Sequence, residues 1–431
     1  MTPRPHDDDR LARHRNWGGN VTFAAAVQHP TSIGDLQRLV AGSTSAHAVG
    51  TGHSFTPVAD SRGALISVAS LPSRFEMHED PATGGRRATL SAGLTFAEAG
   101  PLLDAAGCAL HNLGSLPHIS VAGACSTGTH GSGDRARCLA AAVSAVEIVT
   151  ADGDLVRMDR SHADFPGVVP SLGSLGIMTA LTFDVEASFD VAQTVWQGIP
   201  AETGVEHLDA IVASAYSVSV FTTLTGQAFG DVWVKRRMDE PDADLRPWGA
   251  TPASRPLRPV PGEASEGCTV QGGIPGRWFE RLPHFTPDVP PSSSGAEVQS
   301  EYYVAREHGP AALQALWGIG ESLRDVMQIC ELRTVARDGL WLSPACDADL
   351  MGIHFTWRPD DEAVQTACRA VESLLEPFAP VPHWGKVAFL EPAVVASRYT
   401  RMDSARRLVA RLDPDGVFGN DFNDPYLRAG R

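Results

Sequence analysis

No cysteine pair in this chain is spaced C-x-x-C, and the seven cysteines (Cys108, Cys125, Cys138, Cys268, Cys330, Cys346, Cys368) are scattered and odd in number. That pattern argues against a disulfide framework or a zinc cage and fits a reducing compartment. There is no apolar run of about 18 residues, the length that spans a bilayer. Met1 to Arg15 is polar and charged rather than an apolar signal segment. The cytoplasm is therefore the expected location. Positive charge is also scarce: 35 Lys and Arg stand against 51 Asp and Glu, a net charge of −16. Nucleic acid and anionic membrane are poor partners for such a chain. An anionic cofactor would have to be held by local backbone donors and helix N-termini rather than by a basic field. What remains is the composition of a globular chain, 43% hydrophobic and 20% charged over 431 residues, for which two domains are the natural expectation.

Residues 1–16 read as a mobile arm, and Asn16-Trp17-Gly18-Gly19-Asn20 leads into a strand-like Val21 to Ala25. Ser32-x-x-Asp35 is a capping-box-like opening for a helix containing Leu36, Leu39 and Val40. Buried-strand runs follow at Ala46–Val49, Ala64–Ala69 and Ala88–Ala92, and Thr95-x-x-Glu98 caps a helix ending near Gly107. Val143–Val149 and Leu155–Met158 flank Asp152-Gly153, a hairpin signal, and Ile177–Val185 is a further strand. After Phe189 the strand candidates lengthen: Tyr216–Thr223, Asp231–Arg236 and Glu297–Tyr303, then 328–335 and 351–357. Helix patterns occupy 310–328, 361–376 and 395–411. Six prolines between Pro241 and Pro261 predict an extended surface loop, and Pro287–Gly295 is a second Pro/Ser-rich patch. The fold class expected is α+β, with an antiparallel sheet and helices on one face in the second half.

Within this frame, Ala48-Val49-Gly50-Thr51-Gly52-His53-Ser54-Phe55 carries a β-type run into a loop with two glycines, a lone histidine, a hydroxyl and an aromatic. Glycines so placed let backbone N–H groups crowd against a ligand such as a diphosphate. A Rossmann fingerprint would need a third glycine and an immediate helix, and a P-loop would need Gly-Lys-Ser/Thr; neither is present. Taken alone, the loop reads equally well as a structural turn. A second stretch shifts that balance: Ser115-Leu116-Pro117-His118-Ile119-Ser120-Val121-Ala122-Gly123 runs on into Thr127-Gly128-Thr129-His130-Gly131-Ser132-Gly133.

Two Gly/His/Ser loops with strand and helix patterns between them resemble the FAD-binding domain of the vanillyl-alcohol-oxidase superfamily. With the motifs below, the resemblance narrows to the alditol oxidase (xylitol oxidase-like) branch, over Asn16 to about Phe422. It implies FAD carried covalently by His53, whose neutral imidazole would attack the flavin 8α-methyl carbon. It implies cofactor contacts from Ala48, Val49, Gly50, Thr51, Gly52 and Ser54, and from Ser115, Ser120, Gly123, Ala124, Cys125 and Ser126 in the second loop. Ile177 beside Gly176, and His383 and Asn420 further on, are implied cofactor neighbours too. His118 and His130 lie near Cys125, but no acidic or second cysteine ligand has metal spacing, so no metal is expected. Gly114 sits where the family decides oxygen access; without a Cβ it leaves room for dioxygen, which favours an oxidase over a dehydrogenase.

The other half offers three segments. In Cys330-Glu331-Leu332-Arg333-Thr334-Val335, side chains two apart share one face of a strand, so Glu331 and Arg333 project together. Two opposite charges on an apolar strand need pairing or a polar ligand, and a structural salt bridge alone would satisfy them. Met351-Gly352-Ile353-His354-Phe355-Thr356-Trp357 likewise puts His354 and Thr356 on one face, and His383-Trp384-Gly385-Lys386 adds a histidine and a cation. All match the substrate pocket of the alditol oxidase branch. There Glu331, Arg333, His354 and Lys386 would be catalytic, with Ser115 and Thr356 joining Glu331, Arg333 and Lys386 in substrate binding. Acceptors, donors and a proton-accepting group suit a polyol losing hydride to flavin; whether His354 or Lys386 is the base stays open at this level.

The expectation is an FAD-dependent alditol oxidase, monomeric and cytoplasmic, converting a terminal primary alcohol of xylitol or sorbitol to the aldose with dioxygen as acceptor and hydrogen peroxide as product. Residues 1–190 would form the FAD-binding domain, 191–394 the substrate or cap domain, and 395–431 would return to the first. The rival reading is an aldonolactone oxidase or dehydrogenase of the L-gulono- or D-arabinono-1,4-lactone type, whose relatives share the histidine loop, Glu-x-Arg and His-Trp-x-Lys patterns. A flavin- or nucleotide-binding protein without catalysis would not need Glu331, Arg333, His354 and Lys386 together.

Overall fold

The computed structural model describes residues 14–79, 84–289 and 297–428. Most of the expected N-terminal arm, and the greater part of the Pro/Ser-rich patch at 287–295, lie outside the described residues. The chain opens with β1 (Val27–Gln28), α1 (Ile33–Ala41), β2 (Ala46–Ala48) and β3 (Ala64–Ile66), a three-stranded parallel sheet with β3 in the centre. Ser32 caps α1 by accepting the Asp35 N–H, satisfying a donor left over at the helix start. The strand expected at Val21–Ala25 does not form. Thr22 makes only an isolated bridge to Arg15, while Phe23 turns inward onto Val49 and Leu65, so this segment serves burial rather than pairing.

Next come β4 (Phe75–Glu79), β5 (Arg86–Ser91), α2 (Phe96–Ala105), β6 (Cys108–Ala109), α3 (Val121–Ser126), β7 (Val143–Val149), β8 (Leu155–Asp159) and β9 (Ile177–Ala187). They build an antiparallel sheet in the order β4-β5-β9-β7-β8, with β6 paired to the end of β9. The Thr95/Glu98 capping box forms, and Gly153 takes φ +82 in the β7–β8 turn.

The remaining chain runs β10 (Asp190–Gln197), α4 (Ala201–Glu206), α5 (Leu208–Val212), β11 (Ser217–Thr222), β12 (Asp231–Arg237), β13 (Thr251–Pro252), β14 (Pro275–Arg277), α6 (Trp278–Arg281), β15 (Val298–Ala305), α7 (Gly309–Trp317), α8 (Gly320–Leu323), β16 (Met327–Val335), β17 (Leu350–Trp357), α9 (Asp361–Leu375) and β18 (Val381–Pro382). These strands form a nine-stranded antiparallel sheet, β13-β10-β12-β11-β16-β17-β15-β18, with β14 also on β10. The single helix expected over 310–328 is broken into α7 and α8. Gly320 makes this possible, because any Cβ there would run into the Leu224 carbonyl.

The register of this sheet sorts its two faces. Val218, Val220, Val232, Val234, Leu332, Ile353 and Phe355 face one way and pack against Leu208, Leu313, Leu316, Val364 and Val371 of α5, α7 and α9. The opposite face carries Lys235, Glu331, Arg333, His354, Thr356 and Glu301; Phe221, Trp233 and Ile329 share that face and pack against Leu257 and Val260, and the polar part lines the cleft shared with the glycine-rich loops. The last helices, α10 (Pro392–Ser397), α11 (Met402–Leu412) and α12 (Asp424–Leu427), put Val395, Met402, Leu408 and Leu427 into the same core as Phe96, Leu181 and Phe183, joined there by Tyr399 from the turn between α10 and α11. The pattern read as one helix over 395–411 is two, α10 and α11, turning between Arg398 and Arg401.

Candidate active site

Cross-strand pairing assembles the polar face. Glu301 on β15 stands opposite His354 on β17, and His354 stands opposite Glu331 on β16; one step along, Tyr303, Gly352 and Arg333 align. Gly352 keeps this second row open. A Cβ there would lie 3.1 Å from Glu301 Oε1, and through that gap Arg333 Nη2 donates to Glu301 Oε1 at 2.6 Å, across the intervening strand. Lys386 Nζ donates to the other oxygen, Oε2, at 2.7 Å. Glu301 is fully buried, and its two cations answer the cost of burying its charge. Glu331 bonds instead to two histidines, His284 Nε2 at 2.9 Å from Oε1 and His354 Nδ1 at 3.3 Å from Oε2. Arg333 Nε is 3.7 Å from Glu331, too far for a hydrogen bond. The expected Glu331–Arg333 face is therefore real, but each residue takes its main partner from elsewhere.

The electrostatics follow from this packing. Burial alone would raise both carboxyls, yet Arg333 and Lys386 hold Glu301 well below the usual range, and Arg333 and His284 do the same for Glu331. Burial drives the imidazoles the other way. His354 falls to about 4, with Lys386 adding to the burial effect and Glu331 opposing it; His284 also falls to about 4, through burial and Lys235. Burial lowers Lys386 below the ordinary lysine range, against the pull of Glu301. Two polar atoms of this cluster are buried without a partner: His354 Nε2 and Arg333 Nε. With Nδ1 directed at Glu331, His354 presents Nε2 as a vacant acceptor, and Arg333 Nε is a vacant donor. A hydroxyl can use both.

One continuous cleft joins this cluster to the glycine-rich loops. Its walls include Ala48, Val49, Gly50, Thr51, Gly52, His53, Ser54, Gly114, Ser115, Ser120, Gly123, Ala124, Ser126, Gly176, Glu331, Arg333, His354, Thr356, His383 and Lys386. Cys125 and Ile177 do not line it; both are fully buried in the cores behind. Asn420 does not line it either, and its amide ties down the Val58 and Asp60 carbonyls at 3.0 Å each. His383 Nδ1 accepts the Gly385 N–H at 2.9 Å, which shapes the turn presenting Lys386. His53 is pressed to about 4, by burial and then by His118, and its Nδ1 is buried without a partner while Trp17 stacks on the ring at 5.3 Å. Gly50 approaches Ser120 so closely that an added Cβ would displace the Ser120 hydroxyl, and Gly52 is left-handed at φ +71. A neutral, unpartnered imidazole in a small-residue loop above a long cleft fits a dinucleotide flavin. Among the described residues no group of three or more His, Cys, Asp or Glu could hold a metal ion.

Sequence reading missed Glu301, His284 and Lys235, and weighed His130 only as a metal ligand. His130 Nε2 is 2.7 Å from the Tyr303 hydroxyl and 3.3 Å from Glu301 Oε1. A signal for Glu301 was present: Glu297, Gln299, Glu301 and Tyr303 alternate with Val298, Ser300, Tyr302 and Val304 along one strand. No local pattern marks His284, which sits in a loop and is recruited by distant partners.

Comparison with known proteins adds to this geometry. The family described as FAD binding domain matches residues 24–159, and the family described as D-arabinono-1,4-lactone oxidase matches residues 296–427. The chain is 44% identical over 411 residues to an alditol oxidase of Streptomyces sp. (strain IKD472 / FERM P-14339), covering 94% of this chain and 97% of that protein. It is 28% identical to an L-gulono-1,4-lactone dehydrogenase of Mycobacterium tuberculosis (strain ATCC 25618 / H37Rv), covering 96% and 98%. Among solved structures, cholesterol oxidase from B. sterolicum superposes with a TM-score of 0.78 at 13% identity, over 99% of this chain and 100% of that one. That likeness establishes the two-domain α+β architecture with an antiparallel cap sheet.

Proposed function

The chain belongs to the alditol oxidase family of FAD-dependent oxidoreductases in the vanillyl-alcohol-oxidase superfamily, and from that membership we propose that it oxidises a terminal primary alcohol of a small alditol, xylitol or sorbitol, to the aldose while reducing dioxygen to hydrogen peroxide. The observation that carries this reading is the single cleft in which the His53 loop meets the Glu301–Arg333–Glu331–His354–Lys386 cluster. When bound, FAD supplies the two-electron acceptor for the carbinol hydride and the route by which those electrons reach dioxygen. Its attachment through His53 is supported by the neutral ring and the unpartnered Nδ1. The loops at 48–54 and 115–126 would cradle it, the second largely through hydroxyls and small side chains.

The protein's own residues do the rest. His354 Nε2 takes the hydroxyl proton; its Nδ1–H, directed at the Glu331 carboxylate, fixes the tautomer and stabilises the charge that forms. Lys386 has its ammonium engaged by Glu301, so between the two candidates the geometry favours His354 as base. Arg333 and Lys386 place positive charge beside the substrate, where it steadies a developing alkoxide. Glu331 and Thr356 suit neighbouring hydroxyls of a polyol. The division into a cofactor unit, residues 1–190 with 395–431, and a substrate unit, residues 191–394, belongs to the same proposal and draws support from the packing of α10 and α11. A cytoplasmic location belongs to the same proposal, in keeping with seven free cysteines, and so does a monomeric state.

The lactone names belong to relatives of lower identity, which leaves the alditol reading ahead. The test is anaerobic. Xylitol or sorbitol should bleach the bound flavin, L-gulono-1,4-lactone should not, and admitting air should restore the colour with stoichiometric peroxide. Bleaching by the lactone alone would overturn the reading.

A further inference from the structure

Behind the cleft lies a charged group that the mechanism above does not use. Of the chain's 35 basic residues only two are lysines, Lys235 and Lys386, and both join the same buried polar cluster. Lys235, on β12, is 1% exposed. Its Nζ donates to the Leu282 carbonyl, to the Pro283 carbonyl at 2.9 Å and to His284 Nδ1 at 3.1 Å. An ammonium has three protons, and here it meets three acceptors. His284 Nδ1 must therefore be bare, which puts the ring proton on Nε2, and Nε2 is 2.9 Å from Glu331 Oε1. The ring is held edge-on between Phe221 and Trp233, each with its centroid 5.4 Å away, so it has no room to turn over. The backbone of His284 reaches the other wall, where its N–H donates to the Ser115 carbonyl at 3.0 Å.

We propose that Lys235 and His284 are positioning residues, a buried relay in which the Lys235 ammonium fixes the His284 tautomer that donates to Glu331, holding that carboxylate ionised and oriented toward the substrate. This deepens the oxidase reading and rests on it for the identity of the substrate. Lys235 adds a third cation to Arg333 and Lys386, facing the carboxylates of Glu301 and Glu331 through this network. Burial presses Lys235 down to about 7, while Glu331 and Cys268, the ionisable groups facing it besides His284, pull the other way. The relay is complete below that value. As pH rises through it the ammonium loses a proton, His284 Nδ1 loses its obligatory donor, and the tautomer is released.

The test uses 15N-histidine-labelled holoenzyme and flavin reduction by xylitol without air. Resonances absent from His284→Gln identify His284, which should be neutral with its proton on Nε2 between pH 5 and 7. In Lys235→Met, where the repelling cation is gone, its titration should move up toward neutrality. His284→Leu should keep its flavin and be reduced about ten- to a hundredfold more slowly, with His284→Gln, which retains an N–H donor, falling between. The wild-type rate should decline as pH rises through about 7, and that decline should vanish in Lys235→Met. A proton on His284 Nδ1, or a His284→Leu enzyme reduced like wild type, overturns the relay. Should Lys235→Met fail to fold, the His284 variants and the wild-type profile decide. Wild type that no alditol reduces would overturn the oxidase reading instead, and the tautomer measurement would still judge the relay.

Discussion

Replacing Glu301 by glutamine removes one negative charge and little volume from the centre of the cluster. The side chain is fully buried and accepts from Arg333 Nη2 at 2.6 Å and Lys386 Nζ at 2.7 Å. Glutamine keeps one acceptor oxygen, so at most one of these bonds to a charged group is lost, a cost of about 1.5–3 kcal/mol. Leaving a buried charge without its partner costs about 3–5 kcal/mol by itself, so the expected destabilisation at pH 7 is about 3–5 kcal/mol. Removing Lys386 as well should recover part of it, because one uncompensated cation then goes too. The sign with pH follows from the depressed carboxyl: the stabilisation is complete above the unfolded value of 4.5 and is lost as pH falls through the lower folded value. The wild-type advantage over Glu301→Gln should therefore shrink in acid. Urea midpoints of the holoenzymes, read by tryptophan fluorescence at pH 7 and pH 4, measure both effects. A Glu301→Gln midpoint equal to wild type at pH 7 would refute the argument that this carboxylate holds the two cations in place.

His53→Ala should lose covalent flavin; after acid precipitation the yellow fluorescence should stay with the wild-type chain and leave the variant, and full release from wild type would remove the attachment from the proposal. Gly114→Ala should fold normally, since an added Cβ would meet nothing closer than Thr129 Cγ2 at 3.5 Å. It should slow reoxidation by dioxygen several-fold more than reduction by alditol, and equal slowing of both half-reactions would make Gly114 a turn residue only. With His354 as base, the reduction rate should fall as pH drops through about 4, the value at which the buried imidazole gains its proton. His354→Gln should abolish that acid limb and lower the rate about 10²–10⁴-fold, whereas a midpoint near 6.5 would mean a solvated histidine rather than this one.

What the sequence by itself determined is what depends on near neighbours. Ser32 and Thr95 with Glu98 announce helix starts because capping is settled within four residues. Period two places Glu331 with Arg333 and His354 with Thr356, because alternate side chains of any strand share a face. The Gly50-x-Gly52-His53 loop needs only local backbone freedom to be recognisable. The tertiary structure alone decided who partners whom. Arg333 turns to Glu301 rather than to Glu331 because the order β16-β17-β15 sets Glu301 two strands away, with Gly352 clearing the path. His284 becomes a ligand of Glu331 only because a loop far along the chain is pinned to the Ser115 carbonyl on one side and the Lys235 ammonium on the other. Cross-strand register and loop docking are fixed by burial summed over distant segments, and charge pairing in a low-dielectric cluster follows that geometry rather than any spacing along the chain.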